Sequence, residues 1–165
     1  MTTFKIEVKG DAIAKLARLQ RRISDTAPLM AGAAVALRKL TEEAFEREGV
    51  VGGESWKPLA LSTIRQREKK GTWPGKKLQS KEWGAGGMLS SLSATHTATA
   101  ATVSVGKKYS AIHQFGGMAG RGRKVEIPVR TFLPIKGDAR NAELTPRANS
   151  VLSEVMQAFV EAAGS

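Results

Sequence analysis

Residues 4–9 alternate strictly. Phe4, Ile6 and Val8 are apolar, and Lys5, Glu7 and Lys9 are charged, the two-residue period of a half-buried strand. Gly10-Asp11 then offers a turn and an N-cap. The period lengthens to that of a helix, with Ile13, Leu16, Ala17, Leu19 and Ile23 apolar and Arg18, Arg21 and Arg22 elsewhere on its surface. After Asp25-Thr26-Ala27, Pro28 suits a first helical turn. Leu29, Ala33, Leu37, Leu40, Ala44 and Phe45 then make the apolar stripe of a long helix from about Pro28 to Glu48. Ala31, Ala33, Ala34 and Ala36 leave room on it for a closely packed neighbour.

Gly49 to Leu59 breaks this helix and carries one large anchor, Trp56. Ser62 caps a short basic helix from about Thr63 to Lys70. Gly71 to Gly87 is a long stretch without period, the kind of loop that is either functional or disordered. Met88, Leu89 and Leu92 suggest a turn or two of helix. Ala94 to Val105 reads as a hairpin, with Thr95, Thr97 and Thr99 alternating on one strand and Thr102 and Ser104 alternating with Val103 and Val105 on the other. A short helix spans Tyr109 to Phe115, and Gly116-Gly117 closes it. Val125, Ile127 and Val129 mark a strand over Lys124 to Val129 that Pro128 places near an edge or an end. Thr131 to Ile135 is apolar and packs on the core. The last helix runs from about Thr145-Pro146 to Ala163, with Ala148, Val151, Leu152, Val155, Met156, Phe159 and Val160 in two adjoining rows.

This order predicts one α+β domain over residues 1–165. It has an N-terminal strand and two helices, a small antiparallel sheet with long basic loops, and a C-terminal helix packed on the sheet. The loops expected to be flexible are about 65–87 and 116–124. There is no internal repeat, and the N-terminus lacks the apolar stretch of a signal peptide. No apolar run reaches the roughly 18 residues of a membrane span, so no membrane partner is expected.

Composition narrows the chemistry. With no cysteine among 165 residues, disulfides, thiolate nucleophiles and iron–sulfur clusters are excluded. Two histidines, His96 and His113, are too few for a His-rich metal site. The net charge is +11, and it is concentrated. Arg65 to Lys81 holds seven basic residues and one acid, Lys107 to Arg130 six and one, and the remainder of the chain is neutral. Such segments attract polyanions through counterion release and long-range steering. Arg65, Arg67, Lys69, Lys70, Lys76, Lys77, Lys81, Arg121, Arg123 and Lys124 are the candidate contacts with nucleic acid or an acidic protein surface. Base reading is disfavoured, because only Trp73, Tyr109 and Phe115 could stack within these segments.

The catalytic candidates are thin. His113 has no orienting acid or nucleophile near it in sequence and reads as a packed or backbone-bonded histidine. The pairs Glu42/Glu46 and Glu43/Glu46 each share a helix face, but no His or third carboxylate is offered at matching spacing. Gly84 to Gly87 and Gly116-Gly117 are not followed by the Lys-Ser/Thr of a phosphate loop. The expectation is a protein without cofactor or catalytic step.

Four segments in order carry a family resemblance. They are Gly52-Gly53-Glu54-Ser55-Trp56-Lys57-Pro58-Leu59 with Thr63-Ile64 and Arg67 following; Gly87-Met88-Leu89-Ser90-Ser91-Leu92; Val105-Gly106 through Tyr109-Ser110-Ala111-Ile112-His113-Gln114-Phe115-Gly116-Gly117; and Ile127-Pro128-Val129-Arg130-Thr131-Phe132-Leu133. Together they resemble the phage virion morphogenesis, or tail completion, family of Mu-like tailed phages, over about Phe45 to Leu133. The resemblance implies a structural protein of the head–tail connection or tail terminus, located at the neck or tail end of the virion and assembled in the host cytoplasm. It implies a ring, commonly sixfold, that docks neighbouring connector and tail proteins around the DNA channel and touches DNA, if at all, without sequence specificity. On this reading Trp56, Pro58 and Leu59 anchor the first basic loop. His113, Gln114 and Phe115, with Tyr109, Gly116 and Gly117, hold the turn that opens the second. Arg130 either pairs with an acid across a subunit interface or is a plain surface arginine, while Phe132 and Leu133 belong to the core. The rival reading is a small basic nucleic-acid-binding protein.

Overall fold

Residues 10–49, 54–79 and 87–164 are described by a computed structural model of the chain. The expected strand at Phe4 to Val8 and the side chain of Lys81 lie outside them. Gly10–Ser24 forms helix α1 and Ala27–Glu46 forms α2. Asp25 stands between them and accepts a hydrogen bond from Ala27 N at 3.1 Å. Leu61–Lys69 forms α3, Ser110–Phe115 α4 and Pro146–Gly164 α5. Six short strands complete the fold. They are β1 (Leu92–His96), β2 (Ala101–Val105), β3 (Gly117–Ala119), β4 (Val125–Ile127), β5 (Ile135–Lys136) and β6 (Glu143–Leu144). They pair as three separate antiparallel ribbons, β1 with β2, β3 with β4 and β5 with β6. Among the described residues no helix is long and apolar enough to cross a membrane.

The α+β class holds. The helix lying along the β1–β2 ribbon is α2, and α5 packs chiefly on the other side of α2. The alanine-rich turns explain that closeness. A Cβ on Gly32 would stand 3.0 Å from Val155 Cγ1, so α5 approaches α2 nearly backbone to side chain. The ribbon turns Leu92, Ala94, Val103 and Val105 inward, and exposes Ser93, Thr95, Thr102 and Ser104. Its first strand ends at His96, earlier than threonine alternation suggests. The Thr97 hydroxyl accepts the Thr99 and Ala100 amides and closes the turn, as short hydroxyl side chains do.

The core gathers Leu40, Ala44 and Phe45 of α2, Trp56, Met88, Phe132 and Ala148 of α5. Phe45 meets Trp56 edge-on, with centroids 5.7 Å apart, and Phe132 at 5.3 Å. Thr41, also buried, donates its hydroxyl to Leu37 O at 2.9 Å and so carries no unpaired polar group into the interior. At the start of α5, Thr145 accepts the Ala148 amide at 3.2 Å, the N-cap expected beside Pro146.

Candidate interaction surfaces and the motif core

The four sequence segments converge inside the molecule. α2 is followed by a tight turn at Gly49, whose φ is +104°. A Cβ there would stand 2.4 Å from Trp56 Cδ1, so only glycine fits. Trp56 donates its indole N–H to Thr131 O at 2.8 Å and its amide to Glu48 O at 2.7 Å. Gln114, buried in α4, accepts the amides of both Phe132 and Leu133 at 3.0 Å through Oε1. Arg130 N in turn donates to His113 O at 2.7 Å. Gly116, at φ +75°, lets the chain turn against Val129, whose Cγ2 would stand 2.8 Å from an added Cβ.

Arg130 corrects one expectation. It is 5% exposed and is therefore no surface arginine. Its guanidinium donates through Nε and Nη2 to Lys57 O at 3.3 and 3.2 Å, and through Nη2 to Pro58 O at 3.1 Å. It clamps the Trp56 loop from within the same chain, where carbonyls rather than a carboxylate receive it. Burial, then the charge of Arg67, pull its pKa below the ordinary arginine value, with Glu48 acting the other way.

His113 lies half-buried with Nδ1 unpartnered, and Tyr109 stands edge-on 6.1 Å away. Burial, then the nearby Arg130 charge, hold its pKa below the usual 6.5, so it is neutral at neutral pH. No acid orients it. Beside the motif loops a groove of about 450 Å³ is lined by Glu54, Lys57, Phe115, Glu126 and Val129 among others. It offers carboxylates and hydroxyls but no histidine. Glu42 pairs with Arg38 at 2.8 Å, and Glu43 with Arg47 at 3.1 Å and Arg147 at 2.7 Å. Among the described residues no group of three His, Cys, Asp or Glu could hold a metal ion.

The nine candidate cations among the described residues separate into two kinds. Three are engaged by the chain itself. Arg67 donates to Lys76 O at 3.0 Å, Lys76 Nζ reaches Glu46 O at 3.1 Å, and Lys77 pairs with Glu48 at 2.8 Å while its amide donates to the same carboxylate at 2.6 Å. Burial raises the Glu48 pKa, but the hydrogen bonds and charge of Lys77 outweigh it and leave the net value low. Glu48 is the partner that sequence reading missed, because 29 residues separate it from Lys77. The second kind is displayed. Arg65, Lys69 and Lys70 stand exposed on and just after α3. Arg121, Arg123 and Lys124 stand exposed at the tip of the β3–β4 ribbon, which packs on α4.

The sequence profile of the phage virion morphogenesis family matches residues 10–160. The chain belongs to that family. A curated relative, the Mu-like prophage FluMu G protein 2 of Haemophilus influenzae, is 35% identical over 133 residues, covering 81% of this chain and 83% of the relative. No solved structure matches the chain significantly. Membership makes this a virion-associated structural protein of phage assembly, of a non-enzymatic kind.

Proposed function

We propose that the protein completes the tail or the head–tail connection of a tailed phage. It acts there as an oligomeric ring, of about six copies if closed, that docks neighbouring ring proteins around the DNA channel. It carries no catalytic step. The observation that supports this reading is the division of labour among its charged groups. The motif residues are spent on holding the Trp56 loop, α4 and the Phe132 segment together, while α3 and the β3–β4 tip hold six exposed cations outward on that scaffold. Displayed charge on a rigid frame suits docking and steering of a polyanionic or acidic partner.

Charge reversal separates docking from folding. Lys69→Glu with Lys70→Glu, and separately Arg121→Glu with Arg123→Glu and Lys124→Glu, should leave stability within about 0.5 kcal/mol per site. At least one set should lower the yield of infectious particles. Normal yield from both sets would contradict the proposal. The rival nucleic-acid-binding reading predicts instead that the purified chain binds duplex DNA with a steep salt dependence that the ribbon-tip set reduces.

A further inference from the structure

The two displayed groups of cations differ in chemistry. α3 mixes its charges with other groups. Leu61, Arg65 and Lys69 fall at i, i+4 and i+8, one row of the helix, and Leu61 is 72% exposed. Glu68 stands exposed just before Lys69 and Lys70. The tip of the β3–β4 ribbon is of one kind. Gly120 to Lys124 reads Gly-Arg-Gly-Arg-Lys, with no acid and no apolar side chain. Arg121, Arg123 and Lys124 are exposed, and among the described residues none of these three side chains has a hydrogen-bond or ion-pair partner. The nearest acid in sequence, Glu126, is set back along the ribbon, across from Met118.

The backbone presents this tip as a formed turn. Arg123 N donates to Gly120 O at 3.0 Å. Gly122 takes φ +72° and Arg123 takes φ +52°. The left-handed region disfavours any residue with a side chain, so a cation is kept at 123 where the backbone favours glycine. A Cβ added to Gly122 would meet only the Lys124 stem, 3.6 Å from Cε and 3.8 Å from Cγ. This lays the third cation beside the Arg-Gly-Arg apex. β3 packs on α4, and Gln114 of α4 is bonded to Phe132 N, so the turn stands on the motif core.

Three cations on a formed turn suit phosphate. They gain by releasing condensed counterions, and arginine adds bidentate hydrogen bonds to phosphate oxygens. Such contacts position a protein on a duplex without reading its sequence. The α3 row suits phosphate less, because Glu68 repels it and Leu61 gains nothing there. We infer that the β3–β4 tip is the element that touches duplex DNA, through phosphates alone, and that α3 is not. This rests on the ring reading above, in which a tip turned toward the channel meets the DNA.

An NMR titration of the isotope-labelled full-length chain tests this, with two duplexes of different sequence and about 12 base pairs, from about 50 to 200 mM salt. The amides of Gly120 to Val125 should shift alike with both duplexes, and those of α3 should not. With at most three phosphate contacts, affinity should fall with a log–log salt slope of about 2–3. Arg121→Gln with Arg123→Gly should abolish the shifts without lowering the thermal melt, since glycine keeps the left-handed turn. Lys69→Glu with Lys70→Glu should leave them in place. Silent tip amides at the lowest salt would overturn the inference, as would a preference for one duplex. A tip that answers to polyglutamate and not to DNA would overturn it in favour of an acidic protein surface. Shifts that include α3, with a slope of about 5 or more, would overturn it in favour of the rival nucleic-acid binder. Copy number in particles tests the ring reading separately, so a chain present there with a silent tip keeps the ring and loses this contact.

Discussion

His113 meets the rest of the fold through both its backbone and its ring. Its backbone carbonyl holds Arg130, its ring packs beside Tyr109, and its Nδ1 finds no partner. Because burial, then Arg130, lower its pKa from 6.5, the unfolded chain accepts a proton that the folded chain refuses. Stability from this group is therefore full above the unfolded value and falls as pH drops through it toward the folded one. Glu48 acts lower, its contribution being lost as pH falls through a folded value below 4.5. Urea unfolding between about pH 7.5 and 5.5 isolates the histidine. His113→Gln should show a shallower loss of stability across that window than the unmodified protein. Equal slopes would contradict a buried, neutral His113.

At the scale of elements, the Trp56 loop is the joint on which the others depend. Trp56→Ala removes an aromatic that is 4% exposed and should cost about 3–5 kcal/mol in chemical denaturation. Trp56→Phe keeps most of the packing but leaves Thr131 O without its indole donor, and should cost about 1–3 kcal/mol. A Phe variant as stable as the parent would show that the bond carries no weight. The long elements were legible because each offers many turns of one period. α2 ends within two residues of its expected bounds, and α3, α4 and α5 start within two residues of theirs. β3, β5 and β6 were not legible. Two or three residues carry no period, and their pairing follows from backbone turns at Gly120, with φ +78°, and Gly137, with φ +98°. The Arg130 clamp was hidden for another reason. A sequence shows that an arginine lies between apolar neighbours, but not that two carbonyls more than 70 residues earlier await it.

For the whole molecule, the α+β class followed from element order alone, but the stacking did not. An amphipathic stripe says that a helix has a face to bury, not what will bury it. α2 settles between α5 and the β1–β2 ribbon, whereas α1 leaves the middle of its stripe exposed at Leu16. The charge surplus was legible as a sum and misleading as a map, since Arg67, Lys76 and Lys77 serve the fold. What stays free is a set of displayed cations on a virion-assembly scaffold. The measurement that tests this account most directly is quantitative mass spectrometry of purified mature particles, counting copies of the chain. About six per particle, or a small multiple, is the result expected of a ring at the neck or tail end. Absence from the particle would contradict it.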